Sequence, residues 1–207
     1  MRYRRQLSPA LAFVVFLAAV TALTLAQRAG VFALSAVAAS PDSFWDGRLW
    51  LLITSAPVAQ SPLSLSLLSL VAVALAVLWT CGSWVLWLSA VIGHAGSTLL
   101  LYAAIGVLAL SDRDTVSNLL SEQDYGVSAI FAAWLGAAAS RCWLRRRGAW
   151  AEKLGVVLVC LGAGLVAWLV RGEPTPSVLD SEHVVAFTIG ASIAAAPMRR
   201  RAVLIST

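Results

Sequence analysis

Residues 63–110 read LSLSLLSLVAVALAVLWTCGSWVLWLSAVIGHAGSTLLLYAAIGVLAL, 48 positions without one Asp, Glu, Lys or Arg. An average soluble domain is about 25% charged, so water is not the natural solvent of this stretch. A helix rises about 1.5 Å per residue and a bilayer core is about 30 Å thick, so one crossing takes about 20 residues. The stretch therefore reads as two membrane spans, Leu63 to Thr80 and Trp84 to Leu110, joined by a short turn.

Outward from this pair, four more apolar runs have similar character: Pro9 to Ala26, Gly126 to Cys142, Leu154 to Val170 and His183 to Pro197. The whole chain is 60% hydrophobic and 12% charged, which fits six spans in 207 residues. Val31 to Ala39 and Leu49 to Ala59 are too short to cross. Beside Trp45, Arg48 and Trp50 they read as interfacial pieces of a long first loop. The basic start Met1-Arg2-Tyr3-Arg4-Arg5 has the form of a signal peptide, but the polytopic remainder favours an uncleaved first span. With no repeat, low-complexity tract or soluble domain in view, residues 1–207 are expected to form one all-α polytopic membrane domain.

Charge placement supplies an orientation. The N-terminus, the turn between spans two and three, the connection between spans four and five and the C-terminus together carry +10, and the other connections −5. Lys and Arg collect on the cytosolic side of membrane proteins, so both termini are expected in the cytosol of a cell-membrane protein. The same rule explains the Arg clusters at span ends, and nucleic-acid binding gains no support from them. Cys81, Cys142 and Cys160 form no C-x-x-C pair and are expected as free thiols.

Polar groups within hydrocarbon are costly and so raise the question of function. His94, in Gly93-His94-Ala95-Gly96-Ser97, is either a packing histidine hydrogen-bonded to a neighbouring helix or part of a solute pathway. Ser128 and His183 each stand near the start of a span running from outside to inside, which places them at similar depth. Both spans carry small-residue stripes, Ser128, Ala132, Gly136 and Ser140 on one and Ala186, Gly190 and Ala194 on the other. Such stripes let helices approach closely. A hydroxyl beside a neutral imidazole is an activated nucleophile, and N–H groups at a helix start suit an oxyanion. The alternative is that Ser128 caps or packs a helix and His183 lies at a wet interface.

These residues resemble the rhomboid family of intramembrane serine proteases. Gly126-Val127-Ser128-Ala129 is similar to its G-x-S-G nucleophile motif, and His183-x-x-Ala186-x-x-x-Gly190 to its H-x-x-G-x-x-x-G motif. Arg48-Leu49-Trp50 with Leu51 to Ala56 resembles the entry into the family's second span. Gly82-Ser83, Leu86, Leu88-Ser89 and Gly93 resemble the start of its third. The similarity runs from about Trp45 onward.

The resemblance implies a rhomboid-like six-transmembrane-helix bundle in which Ser128 is the nucleophile and His183 the general base. It also implies hydrolysis of peptide bonds in or beside a substrate's transmembrane segment, with no cofactor and no metal. Its partners would be transmembrane protein substrates and the lipid bilayer. The chain departs from the family at several places. Ala129 and Ala186 replace glycines, and Ser64 and Leu68 stand where the family carries a second-span His and Asn that help hold the oxyanion. Ser66 and Ser69 are nearby substitutes. Phe131 follows the serine by three positions, where the family has an aromatic at four, occupied here by Ala132. The second functional reading is a catalytically inactive rhomboid-like protein that binds transmembrane segments of partner proteins.

Overall fold

The computed structural model describes residues 4–59, 62–144, 153 and 178–205. Among them the chain is all-α, with eight α-helices and no sheet. They are α1 (Arg4–Arg28), α2 (Pro41–Trp45), α3 (Leu51–Thr54), α4 (Leu63–Thr80), α5 (Ser83–Ser111), α6 (Arg113–Ser121), α7 (Ser128–Leu144) and α8 (Val178–Ile205). Three have the length and apolarity to cross a bilayer: α4, α5 and the Pro9–Arg28 part of α1.

The expected span 63–80 coincides with α4, 84–110 lies within α5 and 9–26 within α1. The span expected at 126–142 begins two residues later, as α7, because Gly126 at φ 119° cannot belong to a right-handed helix. The helix at the last expected span starts earlier than expected, at Val178, and so draws in the acids at 180 and 182. The expected span 154–170 lies outside the described residues. Between α1 and α4 the described residues make only a 3-10 turn (Leu34–Ala36), α2 and α3, none long enough to cross.

Local chemistry sets the helix ends. After α4, Gly82 takes φ 89° and its N–H donates to the Val77 carbonyl at 3.1 Å, a left-handed stop that turns the chain directly into α5. Helix α2 opens on a reciprocal cap: Ser43 N–H donates to Ser40 Oγ (3.1 Å) and Ser40 N–H to Ser43 Oγ (2.8 Å), with Pro41 as the first helical residue.

The chain divides into two compact units, one from Met1–Val71 and Thr98–Ser128, the other from Ala72–Ser97 and Ala129–Thr207. In the first, α6 buries Val116 and Leu120, one turn apart, and packs with α2. Phe44 of α2 meets Tyr102 of α5 edge-on, with ring centroids 5.8 Å apart. The loop after α3 is fastened to α1, since Ala59 N–H donates to the fully buried Thr24 hydroxyl at 2.9 Å.

The second unit is built on small residues. A Cβ at Gly136 of α7 would overlap the Phe187 carbonyl of α8, and one at Gly190 of α8 would overlap the Ala133 carbonyl of α7. The expected stripes of α7 and α8 therefore meet at backbone contact. Gly93 of α5 likewise leaves room only for the Ala133 methyl. Fully buried Trp134 donates its indole N–H to the Leu86 carbonyl at 2.8 Å, fixing α7 on α5. At the ends of α4 and α7, Arg141 donates through Nε to the Thr80 carbonyl at 3.3 Å. Neither Cys81 nor Cys142 forms a disulfide.

Candidate active site

Ser128 is the first residue of α7 and is half-buried. The turn that delivers it is held at two points. Ala39 and Asp124 exchange backbone hydrogen bonds of 2.9 and 2.7 Å, and Gly126 N–H donates to the Ser55 carbonyl at 2.9 Å. Gly126 is required here for two reasons. Its φ of 119° is open almost only to glycine, and an added Cβ would press on the Val58 carbonyl at 3.3 Å. That Cβ would also stand 3.7 Å from Ser128 Oγ, so glycine keeps the approach to the hydroxyl open. The first N–H groups of α7 have no carbonyl partner within their own helix, and the helix dipole makes that end attractive to negative charge.

Ser55 in this strap was not anticipated. Its hydroxyl is buried and has no hydrogen-bond partner among the described residues. Nothing in the sequence distinguishes it from the other serines of the first loop, because the property comes from the packing of the loop on the turn before α7.

His183 lies in the second unit, in the second turn of α8, with its side chain 28% exposed. Its Nδ1 is 3.9 Å from Asp180 Oδ1, an electrostatic contact beyond hydrogen-bond reach. The i, i+3 spacing of Asp180 and His183 was legible, yet Asp180 was expected only as one of the outer-side charges.

Glu182, expected as an acid of an outer loop, is instead 2% exposed and accepts a hydrogen bond from Ser97 Oγ at 3.0 Å. The early start of α8 places it inside the packed helix, facing α5. Ser97 Oγ is also 3.0 Å from the His94 carbonyl, one turn back along α5. His94 is buried, next to Gly93, which faces Ala133, and near Gly96, which faces Ile189.

The residues at the expected oxyanion positions of the second span behave differently. Ser64 and Leu68 are exposed, and the Ser69 hydroxyl donates to the Ser66 carbonyl of its own helix at 2.9 Å. No group of three or more metal-binding side chains occurs among the described residues. In comparisons with protein-family models, curated proteins and solved structures, the chain matches none.

Proposed function

We propose that the chain is a rhomboid-like intramembrane serine protease of the cell membrane, with six spans and cytosolic termini, that cuts peptide bonds in or beside a substrate's transmembrane segment. Ser128 is its nucleophile and His183 its general base. The observation that carries this reading is the glycine-dependent turn at Gly126, tied to Ser55, which presents Ser128 as the first residue of a helix. A serine in that setting has polarised N–H donors beside it without further preorganisation.

In the proposed reaction Ser128 Oγ attacks the scissile carbonyl carbon as His183 takes its proton. The N–H groups at the start of α7 hold the resulting oxyanion. The imidazolium then protonates the departing amine, and water, deprotonated by the same imidazole, hydrolyses the acyl-enzyme.

A second reading, a non-catalytic relative that binds transmembrane segments, is favoured by the α4 observations. Exposed Leu68 offers no donor, and the Ser69 proton is engaged by its own helix. Losing one oxyanion donor costs about 10²–10³ in rate.

A serine-reactive fluorophosphonate probe, applied to purified protein in detergent beside an active rhomboid as control, separates the two readings. The protease reading expects labelling that disappears in Ser128→Ala and slows by about 10²–10⁴ in His183→Ala, the usual worth of a general base. A labelled control with an unlabelled wild type overturns that reading in favour of segment binding.

A further inference from the structure

The proposed chemistry leaves Glu182, a buried acid of α8, unused. Glu182 is 2% exposed, Ser97 is fully buried, and their oxygens are 3.0 Å apart across the contact of α8 with α5. We infer that Glu182 is a positioning residue for His183: its hydrogen bond with Ser97 fixes the rotation of α8 on α5 and thereby the direction of the neighbouring imidazole. The inference rests on the protease reading for its consequence in catalysis, but the placement of His183 is a property of the second unit alone.

The surrounding contacts explain why a lock is needed. Small residues line this side of α8: Ala186 is fully buried, and Gly190 lies against the Ala133 backbone. Small-residue contacts permit close approach, but they have little shape with which to resist rotation about the helix axis. A hydrogen bond has a direction and supplies what the methyl groups cannot. Successive residues on a helix are separated by about 100°, so burying Glu182 sets His183 about 100° round, where it is half-exposed. An imidazole nitrogen stands about 6 Å from the axis, counting the Cα radius of about 2.3 Å, and a 20° rotation carries it about 2 Å. A displacement of 1 Å at a reacting group costs about 10² in rate.

Exchanging both members of a buried ion pair for apolar residues of similar volume is often neutral or stabilising, and the best-attested use of such buried polar groups is to specify register. The lock therefore separates activity from stability in a way that packing alone does not.

The test compares wild type, Glu182→Gln and Glu182→Met in the full chain. Gln retains an oxygen that accepts from Ser97, and Met keeps the length without the acceptor. Fluorophosphonate labelling and melting temperature are measured on each. The rate of diethyl pyrocarbonate modification at His183, read by peptide mass spectrometry, is measured in parallel. We expect Glu182→Met, which leaves Ser97 Oγ the His94 carbonyl 3.0 Å away as an acceptor, to melt within a few degrees of wild type, to label at least 10-fold more slowly, as expected of a misplaced base, and to change the His183 modification rate by about 3-fold or more. Glu182→Gln restores both rates. Wild-type labelling and modification rates in Glu182→Met overturn the inference, as does a Glu182→Gln that fails as fully as Glu182→Met. If wild type itself does not label, the protease reading falls, and the His183 modification rates alone decide whether Glu182 positions the imidazole.

Discussion

Helices α4 and α5 adjoin in sequence and are both free of charge, yet the protein uses them differently. In α4, the more apolar of the two, 17% of the 18 residues are buried; in an 18-residue apolar stretch of α5 the share is 39%. The buried positions of α5 include Ser89, His94, Ser97 and Thr98, while Leu75 and Trp79 of α4 are exposed at 57% and 92%. In water the apolar face turns inward. Here hydropathy marks the surface suited to lipid, and the small and polar residues mark the surface that meets other helices, as expected where lipid is as apolar as leucine.

The largest effect is expected where backbones touch. Gly136→Leu and Gly190→Leu each place a side chain into a carbonyl of the facing helix, and relief requires α7 and α8 to separate. Overpacking of this kind costs about 3 kcal/mol or more, so both variants should lose the monodisperse folded protein in detergent. Leu75→Ala on the exposed face of α4 should leave it intact. A folded Gly136→Leu protein would break the contrast between the two surfaces.

A charge tests the opposite surface. Leu75→Arg, at a position 57% exposed, should reduce membrane insertion by about 2.5–3.5 kcal/mol in a translocon insertion assay, falling toward zero if α4 faces water. A smaller loss is expected at the turn between the helices. Gly82 has φ 89° and open space around it, so Gly82→Ala meets only backbone strain and should cost about 1–2 kcal/mol in thermal denaturation. A cost as large as that at Gly136 would mean the turn, rather than the helix faces, dominates stability.

The contrast also explains what the sequence made legible. The run from 63 to 110 announced two helices and their turn, because hydropathy and run length are local signals. The start of α7 was misplaced by two residues, since the demand on Gly126 comes from the Ser55 and Val58 carbonyls of a distant loop. Ser128 and His183 were singled out from span position and motif. Glu182 was missed because charge near a span end is ordinarily read as loop, and only the partner Ser97, 85 positions away, reveals that it is buried. Local patterns located the three helices long and apolar enough to cross a bilayer, whereas the polar contacts between helices depend on helix rotation, which single-sequence patterns do not fix.

The smallest effect concerns a second acid held by a hydroxyl, this one at the surface. Asp112 caps α6, receiving the Thr115 hydroxyl at 2.5 Å and the Thr115 N–H at 3.1 Å. The Thr115 hydroxyl, then its N–H, hold the carboxyl below its ordinary value of 3.8, with desolvation opposing slightly. Because the folded value is the lower one, the cap's contribution is complete above the unfolded value and is lost as pH falls through the folded one. The Thr115 amide should therefore titrate in an NMR series with a midpoint below 3.8, and Thr115→Val should move the Asp112 midpoint upward. A midpoint at or above 3.8 in wild type would mean that the cap is not formed in solution. Glu182 and Asp112 make the same acid–hydroxyl contact in opposite surroundings, one between packed helices and one in water. The exposed pair should govern only the first turn of α6, and the buried pair the placement of an entire helix.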